Sequence, residues 1–338
     1  MSNDETIPNA PRLLSVVVPV HDEQENLEEL VRRLTAVLDD LPGLSAEILL
    51  VDDGSHDMSY PLMVRIANGE SRVKIVQLSR NFGHQVAITA GIELARGHAV
   101  IVMDSDLQHP PELIPEFIGR WNEGFDVVYG VMQERSENWF KRATARAFYA
   151  LLRRLTKVEM PAAAGDFRLI DRVAVDAFVS MRERDRYVRG MFAWLGFQQT
   201  GIDYVPPPRY AGHSKYTVRK MARLALDAIF SFSTYPLRVV LMLGLVVSLL
   251  SFLIGIGSAV SKFVGGYTVP GYVTIVVVVT FIGGFQLVVL GGIGEYIGRI
   301  YEEVKRRPLY VVRRTHGFEN APLEDSHVLR ALEEERLP

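Results

Sequence analysis

Residues 99–111 read Ala99-Val100-Ile101-Val102-Met103-Asp104-Ser105-Asp106-Leu107-Gln108-His109-Pro110-Pro111. The apolar run Ala99–Met103 predicts a buried strand, and open α/β sheets build ligand sites at the carboxyl ends of their strands. A strand sends alternate side chains to one face, so Asp104 and Asp106 are expected to project together. Two carboxylates that close repel unless a cation sits between them. Oxygen-only ligands suit a hard ion, Mg²⁺ or Mn²⁺, which keeps waters and takes further ligands from substrate phosphates. The competing reading is a strand-end turn in which an aspartate caps a helix opening at Pro110-Pro111.

Outward from this segment, short apolar runs alternate with amphipathic stretches. Leu14–Val18, Glu47–Val51, Val73–Gln77 and Asp126–Tyr129 read as further strands. Leu27, Leu30, Val31, Leu34, Val37 and Leu38 have helical spacing within 25–38, and a second helix is expected over about 84–95. Strands alternating with helices predict an α/β domain with a mostly parallel sheet. Polar clusters recur at the strand ends: His21-Asp22-Glu23, Asp52-Asp53, Asn81 and Asp104–Asp106. The first strand is followed by Pro19-Val20-His21-Asp22-Glu23, without a Gly-x-Gly-x-x-Gly turn, and no Walker A string exists. Phosphates therefore have to be handled by a cation and basic side chains.

Two runs without a charged residue, Val239–Ser261 and Tyr272–Gly294, each cover 23 residues. That exceeds the roughly 20 residues that cross a bilayer core. Arg299, Lys305, Arg306, Arg307, Arg313 and Arg314 follow the second run, whereas the connecting loop 262–271 holds only Lys262. The positive-inside rule places the N-terminal domain and both termini in the cytoplasm, with a two-span hairpin in the membrane. The apolar runs come late and the chain begins polar, so a cleavable signal peptide is not expected. Residues 139–158 form a basic amphipathic stretch that either lies on an anionic membrane surface or packs on the sheet. Residues 216–235 repeat the pattern and lead into the first span. The expected organisation is a flexible tail over 1–12, a catalytic domain over 13–215, a juxtamembrane helix over 216–235, two spans within 236–298 and a C-terminal tail over 299–338. There are no cysteines, which excludes a disulfide framework and thiolate metal sites. The net charge of −3 gives no sign of a nucleic-acid partner, and none is expected.

The strings SVVVPVHDEQENL, VDDGSHD, LSRNFGHQVAITAGIELARG, VIVMDSDLQHPPE, AGDFRLIDR, VRGMFAWLGF, GHSKYTVRK and GEYIGRIYEEVKRRPLY occur in this order over about 13–312. Together they resemble the family 2 glycosyltransferases of the polyprenyl-phosphate type: dolichyl-phosphate mannose synthases and bacterial undecaprenyl-phosphate glucosyltransferases. The resemblance implies a GT-A nucleotide-sugar domain, followed by amphipathic juxtamembrane helices and a two-helix transmembrane hairpin. It places Pro19, His21, Glu23 and Asp53 at the nucleoside of a nucleotide sugar. Asp104, Ser105 and Asp106 match the Asp-x-Asp motif, with Asp106 and Gln108 as direct ligands of Mg²⁺ or Mn²⁺. Asp166 and Arg168 match the acceptor-side motif, with Asp166 near the reacting centre. Arg209, Ser214 and Lys215 match the loop that meets phosphate. Three positions depart from the family pattern: His21-Asp22 replaces aromatic-Asn, His213 replaces a glutamate, and Met132 stands where many relatives place an arginine, with Arg135 as the substitute.

The activity implied is inverting transfer of a hexose, glucose by preference, from a UDP-sugar to a polyprenyl phosphate such as undecaprenyl phosphate, at the inner (cytoplasmic) membrane. The resemblance also implies a homo-oligomer. Asp104, Asp106 and Asp166 carry the expected catalysis, Asp166 by orienting a sugar hydroxyl or the acceptor; a structural cap is the lesser alternative for Asp166. A processive polysaccharide synthase on the same fold is the nearest alternative. It would carry Gln-x-x-Arg-Trp, but Gln198-Gln199 runs into Thr200-Gly201-Ile202. A non-catalytic membrane scaffold that binds a nucleotide sugar is the alternative from another class. A channel or flippase is disfavoured because the span interiors lack ionisable residues.

Overall fold

A computed structural model describes residues 12–133, 164–184, 186–207, 242–244, 246–247, 249–250, 253 and 271–318. The chain divides into two compact units. One comprises Met1–Arg153, Val158–Lys215 and Pro308–Pro338; the other comprises Arg154–Lys157 and Tyr216–Arg307.

The first unit is built on an eight-stranded sheet. In chain order its strands are β1 (Arg12–Val20), β2 (Leu44–Asp52), β3 (Val73–Leu78), β4 (Ala99–Val102), β5 (Val127–Met132), β6 (Ala164–Asp171), β7 (Gln199–Tyr204) and β8 (Val312–His316). Their spatial order is β7-β5-β6-β4-β1-β2-β3-β8. Strands β1–β4 run parallel, and β5 is parallel to β7; β6 and β8 are antiparallel to their neighbours. The mostly parallel α/β sheet expected above is therefore present. Val16, Val17 and Val18 are all fully buried, as are Ile48 to Val51. Continuous apolar runs without alternation are what a sheet covered on both faces requires.

Helices α1 (Leu27–Asp39), α2 (Ser59–Gly69), α3 (His84–Leu94), α4 (Ile114–Asn122), α5 (Arg172–Ser180) and α6 (Val188–Leu195) connect the strands. Helix α1 buries Leu27, Leu30, Val31, Leu34 and Leu38, the stripe read from its spacing. Helix α3 lies against β1 and β2 through Gly91. A Cβ there would sit 2.1 Å from Val17 Cγ1 and 3.2 Å from Val51 Cγ2. Only glycine lets the helix approach this closely.

Strands β6, β7 and β8 were not expected from the sequence. β8 falls inside the segment read as a C-terminal tail. It pairs antiparallel with β3 (Gln77 opposite Arg314, Ile75 opposite His316) and closes that edge of the sheet.

In the second unit, α7 runs over Tyr272–Val304, 33 residues. At 1.5 Å per residue that is about 50 Å. It continues ten residues beyond the expected end at Gly294, through Glu295, Arg299, Glu302 and Glu303, so the span is one part of a longer helix. Ile275, Phe281, Leu287 and Leu290 are exposed on it. Phe281–Val304 is long and apolar enough to cross a membrane. The first expected span, the stretches 139–158 and 216–235, and the terminal segments 1–11 and 319–338 lie outside the described residues, apart from isolated helical positions between 242 and 253.

Candidate active site

Strands β6, β4, β1, β2 and β3 are consecutive in the sheet, so the carboxyl ends of the four parallel strands lie side by side. β6 runs the other way and brings its amino end to the same edge. Val102 pairs with Arg168. Continuing that register by two residues sets Asp104 opposite Asp166.

β4 ends at Val102, so Asp104 and Asp106 sit on the turn that follows it. Strand alternation is therefore not what orients them; Leu107, at φ 61, turns the chain instead. Asp106 Oδ1 accepts the Gln108 N–H at 3.1 Å. The Asp104 N–H donates to His109 Nδ1 at 2.9 Å, which leaves His109 Nε2 to carry a ring proton 3.6 Å from Asp104 Oδ2. His109 is buried and stacked on Phe167. Asp104 Oδ1 and Tyr204 Oη are buried and form no hydrogen bond. Burial first, then the charges of Asp104 and Asp106, raise the Tyr204 pKa.

Asp166 is buried and accepts both Nε and Nη2 of Arg189, at 2.7 and 2.9 Å. Burial opposes its ionisation, but Arg189 and His84 hold its carboxyl well below the usual carboxylate range. His84 Nε2 lies 3.4 Å from Asp104 and 3.4 Å from Asp166. Burial works against charge on this imidazole. The hydrogen bond to Asp166 and the charges of Asp104 and Asp166 outweigh that and push its pKa up to about 9. His84 also opens α3, where the helix dipole disfavours a cation, so the two carboxylates are what hold it charged.

The loops after β1, β2 and β3 are stapled together. Asp53 accepts the Phe82 and Gly83 N–H groups at 2.7 and 2.9 Å, fixing the turn into α3. Burial raises the Asp53 pKa, and those two amides lower it. Asp22, at φ 54, accepts the His56 N–H at 2.8 Å, and its own N–H donates to Ser55 Oγ. The extra negative charge at this position thus holds the second loop against the first. His21 Nε2 lies 3.0 Å from Asn81 Nδ2. Glu23 Oε2 accepts the Asn26 side chain at 2.6 Å. Pro19 occupies β1 beyond its pairing with β4, where a missing N–H leaves no rung of that ladder broken.

The structure thus brings Pro19, His21, Glu23, Asp53, Asp104, Ser105, Asp106, Gln108 and Asp166 to one sheet edge. Arg168, expected on the acceptor side to bind phosphate, is 3% exposed, and its Nη2 donates to the Gly165 carbonyl at 2.7 Å. In this position it shapes the turn that presents Asp166. Arg135, Arg209, Ser214 and Lys215 lie outside the described residues. His84, His109, Arg189 and Tyr204 received no role from the sequence. His84 and Arg189 lie within the NFGHQ and VRGMF strings, and no spacing rule ties either to a carboxylate some 20 residues away.

Among the described residues, no group of three or more His, Cys, Asp or Glu forms a self-sufficient metal cage. Mg²⁺ does not need one, because one or two carboxylates and substrate phosphates suffice. The side-chain oxygens of Asp106 and Gln108 fit such an ion; Asp104 Oδ1, 3.4 Å from His84 Nε2, would be shared between the ion and that imidazole.

Residues 15–178 match the description Glycosyl transferase family 2. An uncharacterized glycosyltransferase of Synechocystis sp. is 45% identical over 312 residues, 92% of this chain and 98% of that protein. The uncharacterized glycosyltransferase YkcC of Bacillus subtilis is 43% identical over 316 residues, covering 93% and 98%. The prophage-derived bactoprenol glucosyl transferase of Shigella flexneri is 38% identical over 304 residues, covering 90% and 98%.

Proposed function

The chain belongs to glycosyl transferase family 2 and is a glycosyltransferase, and from that premise we propose that it transfers glucose from UDP-glucose to the phosphate of a polyprenyl lipid, with inversion. The observation that carries this reading is the placement of Asp104 and Asp106 on the turn at the end of β4, close to Asp166, with His84 Nε2 lying 3.4 Å from both Asp104 and Asp166. The name of the Shigella relative supports glucose and a bactoprenol acceptor.

The attacking group is a phosphate oxygen that is already ionised at neutral pH, so no strong general base is required. Asp166 agrees with this, because a carboxylate held far below its usual range is a poor proton acceptor. The harder task is to bring two anions together. Two unit charges 4 Å apart repel by about 4 kcal/mol at an effective dielectric near 20. Mg²⁺ or Mn²⁺ held by Asp106 and Gln108 would neutralise the diphosphate and favour its departure. Asp53 fixes the turn into α3, and His21 and Glu23 border the expected nucleoside position. Arg135, Arg209, Ser214 and Lys215 are assigned to the phosphates, where positioning supplies much of the rate.

A long-chain lipid keeps its substrate phosphate at the bilayer surface, and the apolar helix α7 supports membrane attachment. β7 and β8 belong to one sheet, so the chain leaves and re-enters that domain on one side of any membrane. The segment between them then crosses an even number of times, which supports a two-span hairpin; the basic residues Arg299, Lys305, Arg306 and Arg307 after the second run support a cytoplasmic sheet.

The test incubates the purified full chain with undecaprenyl phosphate, a divalent cation and separate UDP- and GDP-sugars, followed by mass analysis of the lipid extract. A hexosyl phospholipid formed from UDP-glucose is expected. No lipid-linked sugar from any donor would overturn the assignment.

A further inference from the structure

Tyr310 follows the apolar helix in sequence and is buried in the first unit at 2% exposure. Its hydroxyl donates to Glu93 Oε2 at 2.8 Å. Glu93 lies in the last turn of α3, and its other oxygen, Oε1, lies 3.8 Å from Arg186 Nη2. Arg186 is itself buried and organises the loop between α5 and α6. Its Nη2 donates to Met181 O at 2.6 Å, its Nε donates to Glu183 O at 3.1 Å, and its guanidinium sits 5.2 Å from the Phe178 ring. Three residues further on, Arg189 grips Asp166. The opposite end of α3 holds the same loop, because Gln85 Oε1 accepts the Val188 N–H at 3.0 Å.

We propose that Tyr310, Glu93 and Arg186 form a positioning relay through which the strand segment after the apolar helix sets the loop that delivers Arg189 to Asp166. The inference rests on the reading of Asp166 as part of the acceptor side of a transferase site. Helix α3 is the beam of the device. His84 and Gln85 at its start touch the site, and Glu93 at its end takes the hydroxyl of Tyr310. None of the three relay residues touches substrate; each acts through Arg189. A half-buried carboxylate that loses one of its donors no longer holds Arg186 in a fixed place, and the loop gains freedom where Asp166 needs a rigid cation.

The variant is Tyr310→Phe, which removes one hydroxyl and keeps the buried ring. Glu93→Gln serves as the second variant and keeps the shape of the joint. Two readouts are used on the full-length protein in detergent. Amide hydrogen exchange over Met181–Leu195 needs no substrate, so it tests the relay even if the transferase assignment fails. It is expected to accelerate about tenfold in either variant, the loss of one charge-assisted hydrogen bond. Steady-state transfer is expected to show kcat down several-fold, with the Michaelis constant for the nucleotide sugar unchanged. Unaltered exchange over Met181–Leu195 in both variants would overturn the relay. So would a fall in activity carried by the donor Michaelis constant alone. Exchange that accelerates in a protein with no transferase activity would uphold the relay and refute the assigned reaction.

Discussion

Replacing His84 with glutamine tests the charge arrangement at the site, because glutamine keeps a donor for Asp166 and loses the charge. In the wild-type protein the His84 pKa rises from 6.5 to about 9. At about 1.36 kcal/mol per unit, that rise corresponds to roughly 3 kcal/mol. The side chain is 42% exposed, so solvent screening reduces the contribution to about 1–2 kcal/mol. The folded-state pKa lies above the unfolded one. The contribution is therefore complete below pH 6.5, declines between 6.5 and 9, and is absent above. The measurement compares denaturation of wild-type and His84→Gln protein from pH 6 to pH 9.5, with a chelator and no donor, so that no divalent cation competes for Asp104. The wild type should be more stable at pH 6 by about 1–2 kcal/mol, and the two should converge by pH 9.5. A gap that stays constant over this range would show that His84 carries no charge between the carboxylates, and the electrostatic account of the site would fail.

Three other outcomes are expected. Gly91→Ala should destabilise by about 1–3 kcal/mol in thermal or denaturant unfolding, because its Cβ would meet Val17 at 2.1 Å. In an unconstrained helix the same change gains up to about 1 kcal/mol, so the sign is the test. Asp106→Ala should lower lipid-linked sugar formation by about a hundredfold or more while the melting temperature stays near the wild-type value; near-normal turnover with metal present would remove Asp106 from the metal assignment. Lys215→Ala should raise the Michaelis constant for donor or acceptor about tenfold, read by initial rates at varied substrate.

The parallel half of the fold was legible because β1 to β4 are covered on both faces and read as unbroken apolar runs. The helical stripe of α1 was legible for the same reason: burial sets the spacing. β6 was hidden because Asp166 and Arg168 interrupt its pattern. Their burial is tolerated only through Arg189 and Gly165, partners distant in sequence or set by a turn. β8 was hidden by its own charge, since Arg313 and Arg314 read as a cytoplasmic flank and its pairing with β3 spans more than 230 residues. At the site, the residue types of the acidic turn were readable, but the reason for their alignment was not. Leu107 in a left-handed conformation and His84 between two carboxylates are products of three-dimensional closure.

The last strand has a consequence for biosynthesis. While the ribosome is still making the chain, β3 presents a bare row of amides and carbonyls that only residues 312–316 will cover. At about 5–20 residues per second, the 234 residues from Leu78 to Val312 take roughly 10–50 s to appear. The nascent domain must therefore wait, with an open edge prone to mispairing, until the apolar helix has been translated. Completion of the sheet becomes a late event, and a ribosome that stalls within the apolar region leaves a product exposed to aggregation and proteolysis.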